Sequence, residues 1–539
     1  MEDTSRARSS ALLALVAFLV YTNSLWNGFV WDDAVVILSN IPRIASPFNL
    51  FSSIDAGRSL DVAPYYRPLS LLSFYGDFRL HGLTPFLVRL TSVLLHVGNT
   101  ILLYRLVVNI TGRRYAAYFT ALLFSLHPIH AEAVDFNSAR STLLVTMFCL
   151  LSLLLHQKAV AQNRFTPALG GAAAALAGQL SKEIALGVIP LVAALEFSRC
   201  RIEPQSRGNA LIRLVPYAAV SLTYWALRSK ALAQAGIQLE IDPGLMTRLM
   251  YNAYIIPKYL LSLVWPFNLS PFYLIPEDLR PITLQLLFSW VILAAAFWLL
   301  IRYGTRKTVC FGLAWLVIFW LPVSGIVDIP SSPVADRYFY MPAIGLWILA
   351  GEHIARFYDT DTGKQRVRLI VVMVLFVGLA ALTFRQNRFW YNGVTLFTRV
   401  LQLAPDSVYA YHNLGCAYLE DQKNLSLAEK AFMQALMLDP TFPRLQDKLG
   451  YIRMQRGDYY GALQYYGEAA RQNPLDAEAH LNRALLLEKL SRFEEALHSY
   501  QLFYASPGDE LAEARSRFRG KIDELSRMLA KRNAGNGSK

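Results

Sequence analysis

The chain has 539 residues, 54% of them hydrophobic and 17% charged, where an ordinary soluble domain is roughly 45–50% apolar. The apolar excess lies in blocks before about residue 385, which excludes a single water-soluble globule and divides the chain between lipid and water. The formal charge of +13 does not point to nucleic acid, because much of the basic excess sits in short loops between apolar blocks, and the four scattered cysteines (Cys149, Cys200, Cys310 and Cys416) exclude a zinc cluster or a disulfide framework.

A membrane-crossing helix needs about 20 mostly apolar residues to cover roughly 30 Å of hydrocarbon. In chain order such spans are predicted at 9–26, 86–108, 115–127, 140–157, 165–181, 184–198, 210–228, 282–301, 308–325, 337–355 and 368–385, eleven in all. The first ends in Tyr21-Thr22-Asn23-Ser24-Leu25-Trp26 without a small-x-small cleavage site, and reads as a retained helix. The connecting loops alternate in charge. Residues 1–8, Arg113-Arg114, Lys158 to Arg164, Arg199 to Arg213, Arg302 to Lys307 and Arg356 to Arg368 are dense in Lys and Arg. Residues 27–85, 127–139, 182–183, 229–281 and 326–336 are sparser in basic residues. The positive-inside rule assigns the first set to the cytoplasm and the second to the outside. The N-terminus is then cytoplasmic, and an odd span count puts the C-terminal unit outside. Residues 247–266 are apolar enough for a twelfth span, but both flanks would be external, so they read as a helix that lies in the outer interface or dips in and back.

Beyond the spans the signal is a period. Ala428, Ala462 and Ala496 are spaced by 34 and 34 residues, and Phe432, Tyr466 and Tyr500 repeat the interval. Pro440, Pro474 and Pro507 close the units, and Leu414-Gly415 with Tyr418, then Leu449-Gly450, mark first helices. Small residues let paired helices cross closely while aromatics fill the space between pairs, which is the tetratricopeptide pattern. Residues 386–405, with Trp390, Leu396 and Pro405, read as a decayed half-repeat, 509–531 as a capping helix, and the basic stretch after Lys531 as a disordered tail. Such arrays bind peptides or proteins along a concave face.

Four polar constellations fall on loops read as external. Asp32 and Asp33 follow Trp31; adjacent carboxylates suit a general base or a cation site, and equally an acidic cap. Tyr65-Tyr66-Arg67-Pro68 suits phosphate or sugar, and equally an interfacial aromatic belt. His127, His130 and Glu132, followed by Arg140, suit metal ligation or substrate orientation. Lys182 with Glu183, and Asp336 with Arg337, put cations at the bilayer edge, as phosphate contacts or as local ion pairs.

Read in order, these segments resemble a known family. The run Asn23 to Asp33, then Tyr66-Arg67-Pro68-Leu69, His127-Pro128-Ile129-His130-Ala131-Glu132-Ala133-Val134, Ser181-Lys182-Glu183 and Asp336 to Pro342 is similar to the membrane-embedded O-mannosyltransferases with C-terminal tetratricopeptide repeats and their bacterial relatives, within the GT-C glycosyltransferases. The resemblance runs over about residues 9–505. The chain departs from animal members, which carry long repeat arrays, in having about three units, and it lacks the β-trefoil of the other protein O-mannosyltransferase family. The resemblance implies a polyprenyl-phosphate-linked sugar as donor and a hydroxyl, on a protein, as acceptor. Asp32 or Asp33 is then the base, and Lys182, Arg337, Arg67 or Arg140 offset the charge of the phosphate leaving group. Tyr66, His127, His130, Glu132 and Glu183 complete the expected substrate site. No cofactor is assigned; a divalent ion, if used, falls to Asp33, Glu132 and His130.

The expected fold is all-α: a polytopic GT-C-like membrane domain over 1–385, a tetratricopeptide solenoid over 386–531, and a tail at 532–539. The expected partners are the lipid-linked sugar, membrane lipid and an acceptor protein on the repeats, without nucleic acid. The setting is a bacterial inner membrane with periplasmic repeats, or the endoplasmic reticulum with luminal repeats in a eukaryote. Two other readings compete: a non-catalytic scaffold that recruits envelope proteins, and an O-antigen ligase or polymerase. A ligase is expected to carry a large late external loop, and 326–336 is short.

Overall fold

The computed structural model describes residues 2–51, 65–202, 207–234, 245–273, 306–324, 334–359, 365–506 and 512–536, with isolated positions between 290 and 302. The regular elements among them are helices, and the chain divides into two compact units, Met1–Leu396 and Phe397–Lys539.

The first unit opens with α1 (Glu2–Val20), followed by α2 (Pro68–His81), α3 (Pro85–Thr111) and α4 (Arg114–Leu126). A short α5 (Ala131–Asp135) leads to α6 (Arg140–Gln162), α7 (Thr166–Ser181), α8 (Val188–Ile202), α9 (Arg207–Gln234) and α10 (Leu245–Val264). After these come α11 (Arg306–Trp320), α12 (Ala343–Asp359) and α13 (Gln365–Asn387). Helix ends are set locally. Pro68 and Pro85 sit in first turns, where a missing N–H costs no hydrogen bond. Gly112, at φ 67°, closes α3 by donating its N–H to the Val108 carbonyl at 2.9 Å.

Close helix contacts rest on small residues, as in lipid, where packing rather than water drives association. A Cβ on Gly351 of α12 would lie 2.7 Å from the Thr120 amide of α4. One on Gly178 of α7 would lie 3.5 Å from Phe148 Cβ of α6. Within this packing, Pro85–Thr111, Asn137–Gln162, Gly208–Ala233 and Gln365–Trp390 are long and apolar enough to cross a membrane. The protein is therefore a membrane protein, but the described residues supply four such helices against eleven expected. The elements found at 115–127, 165–181 and 184–198 have 13, 16 and 15 residues, about 20–24 Å at 1.5 Å per residue. The expected span at 282–301 lies mostly outside the described residues.

The two ends of this unit are joined by asparagines. Asn23 Nδ2 donates to the Phe384 carbonyl at 2.8 Å and Asn27 Nδ2 to the Asn387 carbonyl at 2.9 Å. Asn387 Nδ2 donates back to Val20 O at 2.9 Å, and the Gly28 N–H to Tyr391 O at 2.8 Å. Trp390, which the sequence suggested for a half-repeat, is buried in this first unit against Phe136.

Helix α14 (Gly393–Leu403) carries the chain into the second unit, which pairs α15 (Val408–Glu420) with α16 (Leu425–Leu438), α17 (Leu445–Gln455) with α18 (Tyr459–Gln472), and α19 (Ala477–Lys489) with α20 (Phe493–Ala505). Ser407, Asn424, Asp458 and Asp476 cap helix starts by accepting backbone N–H groups. The 34-residue set is buried throughout: Ala428, Ala462 and Ala496 with Phe432, Tyr466 and Tyr500. A Cβ on Gly415 would stand 2.5 Å from the Phe432 ring, and one on Gly450 2.8 Å from the Tyr466 ring, so each small residue makes room for its repeat's aromatic. Pro507 lies outside the described residues. The last helix, α21 (Ala512–Asn536), runs through residues 532–536, where a disordered tail was expected.

Candidate active site

The first loop divides the Asp32–Asp33 pair. Trp31 adopts φ 56°, a conformation rare for a bulky side chain. Its indole stacks on Phe136 at 5.1 Å, and Phe136 stacks on Trp390 at 5.6 Å. Beyond this turn Asp33 points inward and is fully buried. Its carboxylate accepts from the Ser138 hydroxyl at 2.6 Å, the Ser138 amide at 2.8 Å, Asn137 Nδ2 at 3.0 Å and the Val30 amide at 3.3 Å. Burial pushes its pKa up, while these donors and the Arg89 charge oppose the shift. Asp33 is thus a clamp between two loops. Asp32 stays half-exposed, and its charge acts on Arg337.

Arg337 projects from the turn Asp336–Tyr338, which packs on α5. Its guanidinium pairs with Glu132 Oε1 while its backbone N–H donates to Glu132 Oε2 at 2.9 Å. Aromatic rings surround the cation: Tyr338 at 4.9 Å, Trp31 at 5.6 Å and Phe136 at 5.7 Å. Asp336 turns the other way and accepts from the Tyr273 hydroxyl at 2.7 Å; burial and the Glu132 charge push its pKa well up.

Lys182 and Glu183 start the turn after α7. Arg67 reaches Glu183 with two N–H groups, at 2.7 and 3.2 Å, and lies 3.8 Å from the Tyr65 ring centre. Burial alone would raise Glu183, but the Arg67 charge and hydrogen bonds win and hold it at about 2. Lys182 Nζ donates to Thr142 Oγ1 at 2.9 Å and stands 5.6 Å from the Tyr338 ring. Burial, then the Arg67 charge, bring its pKa down to about 7. Asp32, Glu132, Arg337, Lys182, Arg67 and Glu183 therefore form one electrostatically linked group.

Other expected site residues are placed elsewhere. Tyr66 is buried, its hydroxyl on the Phe51 carbonyl at 3.0 Å, and Tyr65 is the ring that meets Arg67. His127 accepts the Ile129 amide on Nδ1, so Nε2 carries the proton and donates to Leu263 O at 3.0 Å. His130 accepts the Trp347 indole N–H on Nε2 at 2.9 Å, inside a cluster with His96, Phe124 and Tyr340. Both imidazoles are core groups. Arg140 is fully buried and spends its N–H groups on Asp77 at 2.6 Å, Val88 O at 2.6 Å and Ser92 Oγ at 3.3 Å. Asp33, Glu132 and His130 do not converge, and no cluster of three metal-ligating side chains exists among the described residues.

Sequence reasoning passed over Asp77, Arg89, Asp135, Ser138 and Thr142. Arg89 is buried and donates to the carbonyls of Asn27, Gly28 and Asp135, bracing the two loops that meet at Asp33. An arginine in the first turns of an apolar span is the signal that marks it.

Comparison with known proteins follows the same outline. Residues 75–225 match the family described as dolichyl-phosphate-mannose-protein mannosyltransferase. Residues 408–442 and 448–510 match tetratricopeptide repeats. The chain is similar to protein O-mannosyl-transferase F38B6.6 of Caenorhabditis elegans, 25% identical over 81% of this chain and 63% of that protein. It is similar to protein O-mannosyl-transferase TMTC3 of Mus musculus, 24% identical over 93% of this chain and 60% of that protein. It is likewise similar to protein O-mannosyl-transferase TMTC1 of Homo sapiens, 25% identical over 83% and 57%. The resemblance read from the motif order is borne out, and the chain spans about 60% of the length of these relatives.

Proposed function

We propose that this chain is a membrane glycosyltransferase that moves a hexose from a polyprenyl-phosphate donor to a hydroxyl on a protein, at the external face of the membrane. The observation that carries this reading is the linked group in which the half-exposed Asp32 faces Arg337, with Lys182 and Arg67 beside it. The names of the relatives support mannose as the sugar and a protein as the acceptor.

Asp32 accepts the proton of the acceptor hydroxyl as its oxygen attacks the anomeric carbon. The new C–O bond forms on the face opposite the breaking C–O(phosphate) bond, so the configuration inverts. Charge grows on the departing phosphate, and Lys182, Arg337 and Arg67 offset it at fixed positions. Glu132 and Glu183 hold the two arginines in place. The repeats present acceptor proteins to the site. Loop charge supports a cytoplasmic N-terminus and external repeats, periplasmic in a bacterium and luminal in an endoplasmic reticulum.

Purified protein is given mannosyl-phosphoryl-polyprenol and an envelope protein extract. Labelled sugar is expected on protein with the wild type and not with Asp32→Asn. Transfer undiminished by that substitution removes the proposed base. Partner binding without transfer by either form favours the scaffold.

A further inference from the structure

Three cations meet beside the turn after α7, and two are already paired: Arg67 with Glu183, and Arg337 with Glu132. Lys182 is different. Its Nζ meets the Thr142 hydroxyl and the Tyr338 ring, and no carboxylate of the described residues lies within ion-pair distance of it. It is nonetheless 7% exposed.

A buried ammonium without a counter-ion is costly, whereas a buried amine is not. The Thr142 hydroxyl, its hydrogen-bond partner among the described residues, suits both forms, because a hydroxyl accepts from an ammonium and donates to an amine. The surrounding charges do not favour the ammonium either. Arg67 and Arg337 repel it, and the carboxylates that attract it, Glu183 and Glu132, are engaged by those arginines. The tyrosines nearby are Tyr65 and Tyr338 beside the arginines and Tyr224 on α9. The lowered pKa of the amine agrees with this geometry.

We propose that Lys182 waits as a neutral amine and captures the donor's phosphodiester together with one proton from water, so that donor binding is proton-coupled. This rests on the transferase reading above. The incoming anion supplies the missing counter-ion; the proton passes from water to Nζ, and no covalent bond changes. A phosphodiester has no ionisation of its own near neutrality, so a proton taken up on binding belongs to the protein.

The test titrates the full-length protein, in lipid nanodiscs, with the short-chain donor mannosyl-phosphoryl-citronellol. Calorimetry from about pH 6 to about pH 9, in buffers of different ionisation enthalpy, counts protons by linkage. Affinity is expected to be flat below about 7 and to fall up to about tenfold per pH unit above it, with up to one proton taken up. Lys182→Arg, charged throughout, is expected to bind with a flat profile and no proton uptake, and Lys182→Met to bind weakly at every pH. Wild-type binding with a flat profile and no proton uptake overturns the coupling and leaves the transferase reading standing. A Lys182→Arg protein that keeps the wild-type slope also overturns it, by assigning the proton to another group. No binding by the wild type at any pH overturns both.

Discussion

Arg337 and Glu132 are joined twice, the guanidinium to one carboxylate oxygen and the backbone N–H to the other. The double contact fixes the arginine's base as well as its tip. A preorganised charge of this kind contributes about 2.7–4 kcal/mol to a transition state. Glu132→Gln keeps the shape and removes the charge. We expect kcat for sugar transfer to fall on the order of 100-fold, and the thermal unfolding midpoint to fall as well, because Arg337 loses its buried partner. A large loss of midpoint with kcat intact would assign Glu132 to folding alone.

The two aspartates separate by assay. Asp32→Asn is expected to cost about 10²–10⁴-fold in transfer, as loss of a general base does, and to leave stability near wild type. Asp33→Asn turns an amide N–H toward the Ser138 donors and strands part of a buried site. A cost of about 1–3 kcal/mol per unsatisfied group follows, read as a lower unfolding midpoint. Equal effects on both readouts from the two variants would contradict this division.

Arg140 and Asp77 form a buried pair, 0% and 8% exposed on their side chains. Removing one partner of such a pair costs about 3–5 kcal/mol, whereas exchanging both for apolar groups is often neutral. Asp77→Ala should therefore destabilise strongly, and adding Arg140→Met should recover much of the loss. A double variant no better than the single shows that Arg140 acts through its carbonyl and serine contacts instead.

Asp135 is buried, and burial pushes its pKa up to about 7 against the pull of Arg89. The folded state holds this proton more tightly than the unfolded state. Its contribution is therefore full at low pH and is lost as pH rises from the ordinary carboxylate range toward about 7, at up to about 1.4 kcal/mol per pH unit. Asp135→Asn removes the titration. Its unfolding midpoint should exceed the wild type's more at about pH 8 than at about pH 5. Equal differences at the two pH values refute the assignment.

Gly415 faces the Phe432 ring, where a Cβ would stand 2.5 Å away. Gly415→Val should cost about 1–3 kcal/mol by overpacking. Faster proteolysis within residues 397–506, with the first unit intact, is the measurement that checks it.

The repeats were legible because their signal is local: a small residue and an aromatic must recur at 34 residues for helix pairs to stack. The linked group was partly legible, since Lys182-Glu183 and Asp336-Arg337 stand at the ends of apolar runs. What escaped were pairings over long separations. Arg140 finds Asp77 63 residues away, and Asp33 finds Asn137 and Ser138 at 104 and 105. His127 and His130 misled because their residue type suggests ligation, while tautomer and burial depend on Leu263 and Trp347, far along the chain. Span counting suffered from short helices whose apolar length falls below a bilayer's thickness.

The asparagine stitching that joins the first loop to residues 384–391 lies wholly before Phe397. The fold around Asp32 is therefore closed before the repeat array begins. Array length is free to drift without disturbing the packing around Asp32 and Arg337.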